Sequence, residues 1–128
     1  MFFLSTKKNV LVIDDDRSLL RQLKFRLEKR EKLNVVTTEN AEKGLELASA
    51  VIFDLIILDW MLPGQQGIDI LGDLKSSEAT RDIPVLMMTG RNKIGELEEA
   101  FSRGAEAYLT KPFELSKLGR KVTEMLAA

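Results

Sequence analysis

Three acids in a row, Asp14-Asp15-Asp16, close the apolar run Val10-Leu11-Val12-Ile13. A fourth, Asp59, closes a second run, Leu55-Ile56-Ile57-Leu58. A buried strand that stops at a carboxylate carries that carboxylate to one edge of a sheet, and two such strands gather a cluster. Crowded carboxylates repel one another and call for a cation. The chemistry that uses such a cluster is phosphoryl transfer, with a divalent ion beside a nucleophilic aspartate. Two more strand ends offer matching groups: Thr89 in Leu86-Met87-Met88-Thr89-Gly90, and Lys111 in Tyr108-Leu109-Thr110-Lys111-Pro112-Phe113. A lysine balances phosphoryl charge as a point cation, and a hydroxyl donates to a phosphoryl oxygen. The backbone N–H groups of Trp60 and Gly90, just after Asp59 and Thr89, complete the expected cradle.

Composition narrows the chemistry further. The chain has 128 residues, 45% hydrophobic and 30% charged, enough for one domain with its own core. It contains neither cysteine nor histidine. Disulfides, thiolate zinc sites, imidazole ligands and His–Asp triads are therefore excluded, and a metal site must be all oxygen, which suits Mg²⁺ or Mn²⁺. The net charge of −1 leaves no overall electrostatic footprint for nucleic acid, so direct nucleic-acid binding is not expected. The opening Met1-Phe2-Phe3-Leu4 is too short for a secretory signal and its lysines follow it; no stretch reaches transmembrane length. A cytoplasmic protein with no membrane contact is the expectation.

The elements that must hold these groups alternate five times. Strands are predicted over 9–13, 34–38, 55–58, 84–88 and 106–109. Helices are predicted over 17–30, 41–51, 67–76, 93–103 and 114–127, with inward stripes that include Leu20, Leu23 and Leu27 in the first and Ile94, Leu97 and Phe101 in the fourth. Gly104 sits where a helix-ending glycine belongs. Three of the strands are apolar throughout rather than alternating, the mark of a parallel sheet covered on both faces. The expected fold is a doubly wound α/β domain spanning 1–128, a five-stranded parallel sheet of flavodoxin-like order 2-1-3-4-5. In such a sheet ligands bind outside the carboxyl ends of the strands, at the switch between strands one and three, where Asp14, Asp15 and Asp59 end.

Four segments then carry a resemblance over nearly the whole chain: Ile13-Asp14-Asp15-Asp16, Leu58-Asp59-Trp60-Met61-Leu62-Pro63 with Gly67 beyond, Met88-Thr89-Gly90, and Lys111-Pro112-Phe113. Together they resemble the receiver domain of two-component response regulators. The resemblance implies that Asp59 is the phosphoacceptor, Asp15 a direct Mg²⁺ ligand, Asp14 a ligand mainly through water, and the Met61 carbonyl a further ligand. It makes Thr89 and Tyr108 the switch pair, Lys111 the phosphate-binding lysine, and Lys111–Pro112 a cis peptide. It implies a sensor histidine kinase or phosphotransfer protein as donor and an effector domain or protein as target. The surface that switches would be that of the fourth helix, fifth strand and fifth helix. Such a domain catalyses its own phosphorylation and dephosphorylation, yet acts as a signalling switch rather than a turnover enzyme.

The run from Asp59 to Gly64, with Arg91 two residues after Thr89, looks most like the winged-helix transcription-factor branch. Receivers of that branch often form phosphorylation-dependent homodimers and carry acids just before the switch tyrosine; here Glu106 is such an acid and Ala107 is not. Plainer roles exist for some residues: Asp16 as the cap of the first helix, Tyr108 as a core aromatic, Trp60 as a partly exposed neighbour of the site, Asp54 as a strand-entry residue. Two rival functions remain in view. Asp14-x-Asp16-x-Ser18 faintly resembles the start of haloacid-dehalogenase-type phosphatases, in which Asp14 would carry the phosphate. A pseudo-receiver would keep the fold without the chemistry.

Overall fold

The apolar runs and helical stripes become twelve elements in the computed structural model, which describes residues 7–90 and 94–128, with side chains in the fourth helix from Glu96 onward. They are β1 (Asn9–Ile13), α1 (Arg17–Lys29), β2 (Asn34–Thr38), α2 (Ala41–Ala50), β3 (Leu55–Asp59), β4 (Met61–Leu62), β5 (Gln65–Gln66), α3 (Gly67–Ser76), β6 (Val85–Thr89), α4 (Ile94–Ser102), β7 (Ala107–Thr110) and α5 (Leu115–Ala127). Met1 to Leu4, Arg91 and the Ile94 side chain lie outside the described residues.

Five strands form one parallel sheet in the order β2-β1-β3-β6-β7. This is the expected 2-1-3-4-5 once β4 and β5, a two-residue antiparallel hairpin apart from the sheet, are left out of the count. The hairpin was not legible in the sequence, since two residues per strand carry no periodicity. Strand ends extend past the expected ones to Asp59, Thr89 and Thr110, so Asp59 and Thr89 are the last residues of their strands while Asp14 and Lys111 come directly after theirs.

Alternate strand residues feed two cores. Val10, Val12, Leu55, Ile57, Leu86 and Met88 pack with Leu20, Leu23 and Leu27 of α1 and Leu118 and Val122 of α5. Leu11, Ile13, Ile56, Leu58, Val85 and Met87 pack with α2, α3 and Ala100 of α4. The sheet therefore separates an α1/α5 layer from an α2/α3/α4 layer. Two expectations change here. Trp60 is buried, 4% exposed, because it continues the Ile56-Leu58 face of β3 into the second core. Phe101 is exposed at 46% while Ala100 is fully buried: with Ala100 turned to the core, its neighbour lies about 100° around the helix.

The helix ends are fixed locally. The Asp16 side chain accepts from the Leu19 amide at 3.1 Å, capping α1 as expected. Asn40 caps α2 by accepting from the Lys43 amide. Gly104 ends α4 with φ +103°, a backbone state that glycine takes at no steric cost. At the sheet's amino edge Lys75 Nζ donates to the Ile83 carbonyl (2.8 Å) and to Glu106 Oε2 (2.9 Å), and Glu106 Oε1 accepts from the Val85 amide (2.7 Å). This clamp joins α3, the segment before β6, and the starts of β6 and β7. Glu106, read as a dimer-type acid, is thus engaged within its own chain.

Gly67 opens α3 directly behind the site. Its amide donates to the Trp60 carbonyl at 2.6 Å, and a Cβ there would press into the Asp59 carbonyl oxygen. Backbone cannot yield as a side-chain tip can. Gly67→Ala is therefore expected to cost about 1–3 kcal/mol, the usual range for forced overpacking. Urea unfolding measures it, and an unchanged midpoint with an unchanged slope would contradict the tight approach.

Candidate active site

The carboxyl ends of β1, β3, β6 and β7 meet at the point where strand order reverses. Asp14 follows β1 with its amide donating to the Thr38 carbonyl (3.1 Å), which pins it to the end of β2. Its side chain is fully buried: Oδ1 accepts from the Asp16 amide (2.9 Å) and Oδ2 from Lys111 Nζ (2.7 Å). Lys111 also reaches Asp59 Oδ1 at 3.5 Å. Asp59 is buried at 4% exposure, whereas Asp15 is exposed. One oxygen each from Asp14, Asp15 and Asp59 fall within 4.8 Å of one another. That all-oxygen donor set is what a hard divalent cation takes.

The electrostatics follow from this crowding. Burial, and after it the charge of Asp14, pushes the Asp59 carboxyl up from 3.8 to about 6; Lys111 and the Met61 amide pull it back, and Asp15 adds a smaller push. Burial opposes the charge on Lys111, yet the hydrogen bond and charge of Asp14, joined by Asp59, outweigh it and hold the ammonium above its usual range. Asp59 is therefore a carboxylate whose ionisation the fold itself resists, and an added cation relieves that resistance.

One expected cradle group moves. The Trp60 N–H donates to the Met88 carbonyl at 2.7 Å, so it belongs to the ladder between β3 and β6. The amide that faces the Asp59 carboxylate is the next one, Met61. Strand geometry explains the shift: N–H groups alternate sides along a strand, and the first one freed from the ladder is the one past its end. Gly90 is exposed directly after β6. Thr89 is fully buried and shares a side-chain hydrogen bond with Tyr108. Tyr108 is half-buried against the α2/α3/α4 core, and burial pushes its phenol up, offset in part by Thr89. The Lys111–Pro112 peptide is cis, and the Lys111 amide donates to the Thr89 carbonyl, which ties the residue after β7 to the last residue of β6. Asp54, set aside as a strand-entry residue, accepts from the Asn9 amide at 2.7 Å at the opposite edge.

Three carboxylates, a lysine and a threonine thus converge at the switch point of a doubly wound domain. The comparisons give the family. A family model described as the response regulator receiver domain matches residues 10–123, and the chain belongs to that family. It is 33% identical over 119 residues to the phosphate regulon transcriptional regulatory protein PhoB of Escherichia coli (strain K12), across 93% of this chain and 52% of that protein. It is 35% identical over 109 residues to the cell cycle transcriptional regulator CtrA of Caulobacter vibrioides, across 85% of this chain and 46% of that one. The chain spans about half the length of the curated relatives it matches. Among solved structures, a CheY-like response regulator receiver domain protein from Methanospirillum hungatei JF-1 matches with a TM-score of 0.88 at 28% identity, covering 95% of each chain. Among the described residues no helix is long and apolar enough to cross a membrane.

The raised Asp59 carboxyl has a signed consequence for stability. The folded state holds the proton more tightly than the unfolded chain does, so Asp59 costs stability as pH rises from about 4 to about 6. Asp59→Asn removes that cost. In buffer free of divalent ions, the variant is expected to match the wild type near pH 4 and to exceed it by about 2–3 kcal/mol above pH 7. Paired urea titrations across that range check this. A constant difference at all pH values would contradict it.

Proposed function

We propose that the chain is the phosphorylation-controlled receiver, one domain over 1–128, of a cytoplasmic two-component system, and that Asp59 is its phosphoacceptor. The observation that carries this reading is the placement of Asp59 with Asp14, Asp15 and Lys111 at one sheet edge. A sensor histidine kinase or phosphotransfer protein supplies the phosphoryl group from phosphohistidine. An Asp59 carboxylate oxygen forms the new bond to phosphorus as the P–N bond breaks, and the departing imidazole keeps the electron pair and takes up a proton. Asp14, Asp15, Asp59 and the Met61 carbonyl would hold Mg²⁺, or Mn²⁺, which neutralises charge on the phosphoryl oxygens when bound.

The remaining work falls to the chain itself. Lys111, already drawn to two carboxylates, transfers one of its contacts to a phosphoryl oxygen. The Met61 and Gly90 amides donate to others. Thr89 gives up its bond to Tyr108 in favour of the phosphoryl group, whose charge is about −1.5 to −2. Tyr108 then turns into the space vacated, and the surface of α4, β7 and α5 changes for a downstream effector domain or protein, or for a second copy in a phosphorylation-dependent homodimer. No contact of this chain with nucleic acid or membrane enters the scheme. The chain assists its own phosphorylation and dephosphorylation while serving as a switch. The alternative in which Asp14 is the nucleophile is disfavoured, because both of its oxygens are already hydrogen-bonded and it is fully buried.

Intact mass with peptide mapping, after incubation with Mg²⁺ and a small acyl phosphate, tests the reading. One added phosphoryl group on Asp59 is expected, with none on Asp59→Asn. A phosphoryl group mapped to Asp14 would sink the receiver assignment in favour of a phosphohydrolase. No adduct together with no Mg²⁺ binding would favour a pseudo-receiver. Mg²⁺ at about 100 times its Kd is expected to add roughly 2.7 kcal/mol to stability. Thermal unfolding reads this, and Asp15→Asn should reduce it.

A further inference from the structure

The near-neutral net charge conceals two oppositely charged faces. Helices α1 and α5 carry eight cations against two carboxylates, a surplus of six. Helices α2, α3 and α4 carry seven carboxylates against two cations, a deficit of five. These layers lie on opposite sides of the sheet.

Each face also presents an aromatic ring to solvent. Phe25 of α1 is 67% exposed and, with Leu115 of α5, lines a groove of about 520 Å³. Arg21 and Lys29 flank Phe25 one turn away on either side, and Arg30 completes the rim. None of these three cations has a carboxylate partner among the described residues, unlike Lys24 and Arg26, which pair with Glu28 and Glu31. On α4 the pattern is mirrored. Phe101 is exposed, Glu98 lies one turn before it on the same face, and Glu98 has no cation partner among the described residues.

We propose that this chain associates with copies of itself head to tail, the Phe101–Glu98 surface of α4 in one copy seating on the Phe25 groove between α1 and α5 of the next. Charge complementarity selects this occupant. The acidic face it requires is built into the same molecule, and a net charge of −1 opposes association very little. Nucleic acid fits less well because the opposite layer repels it. A membrane fits less well because the apolar stripe of α1, Leu20, Leu23 and Leu27, is consumed by the core. The two surfaces differ, so the contact is heterologous and does not close on itself in pairs; it leaves a free face at each end. It needs no phosphorylation and no metal, and so stands or falls apart from the phosphoryl chemistry.

Sedimentation equilibrium of unphosphorylated protein, without divalent ions, is the test. The weight-average mass is expected to rise about 1.5-fold or more between about 20 µM and 1 mM protein at about 20 mM salt. It should return to monomer at about 0.5 M salt, where exposed charges are screened within about 4 Å. Phe25→Asp removes only the groove and Phe101→Lys only the acidic knob, so each alone should be monomeric. Their mixture should form a one-to-one dimer, because each retains the half the other lacks. Glu98→Lys, at an exposed site, replaces Phe101→Lys if circular dichroism shows that variant unfolded. A monomer at every concentration overturns the proposal, as does association that Phe25→Asp leaves intact or that mixing fails to restore. Binding of a labelled acidic amphipathic peptide to a wild type that stays monomeric would also overturn it, and would assign the groove to another protein.

Discussion

Everything at the carboxyl edge of this sheet depends on one electrostatic conflict. Asp14 and Asp59 are buried beside each other, with Asp15 close by at the surface. The only cation the described residues place among them is Lys111, 2.7 Å from one carboxylate and 3.5 Å from the other. One positive charge cannot balance three negative ones, so the apo fold carries an unresolved repulsion that shows itself in the raised Asp59 carboxyl. The packing beneath is what holds the conflict in place. Strands β1 and β3 are buried along their whole apolar length, and their register aligns Ile13 with Leu58. The backbones that carry Asp14 and Asp59 cannot separate without disturbing two cores. A buried site with this surplus of negative charge is one that an added cation would relieve.

The fold was legible because β1, β3 and β6 are apolar without alternation, and because the helical stripes begin and end at Asp16, Asn40 and Gly104, residues whose chemistry fixes helix ends. The acids, threonine and lysine were legible because each follows a strand end. What escaped the sequence depends on three-dimensional registration. The Trp60 amide belongs to a ladder because β3 runs one residue longer than its apolar core. The Trp60 ring is buried by strand parity, which a run of alternating faces would have disclosed had Asp59 not interrupted the apolar signal. Phe101 points outward because the helix turns Ala100 to the core, and the next residue lies about 100° around the axis. Glu106 reads as a surface acid, and only the fold reveals the lysine 31 positions away that engages it.

Composition averages conceal as much as they reveal. A net charge of −1 describes the chain and neither of its faces. Because the helices of a doubly wound sheet are shared between its two sides, charge can be sorted by layer while the sequence looks evenly mixed. The rule that places α1 and α5 together, and α2, α3 and α4 together, is topological. A reading of charge runs along the chain cannot see it until strand order is known.

The clamp of Lys75 and Glu106 gives the sheet two mechanically distinct ends. At the amino edge, β6 and β7 are fastened to each other and to α3 through one ammonium and one carboxylate. At the other edge the ladder runs on to Thr89 and Thr110, the Lys111 amide donates to the Thr89 carbonyl, and the Thr89 hydroxyl bonds the Tyr108 phenol. Four peptide steps separate Val85 from Thr89, an arm of about 13 Å. With the near end anchored, a rearrangement at the far end is a rotation about a fixed pivot rather than a slide of one strand past another. Such a rearrangement would leave the β-ladders in register.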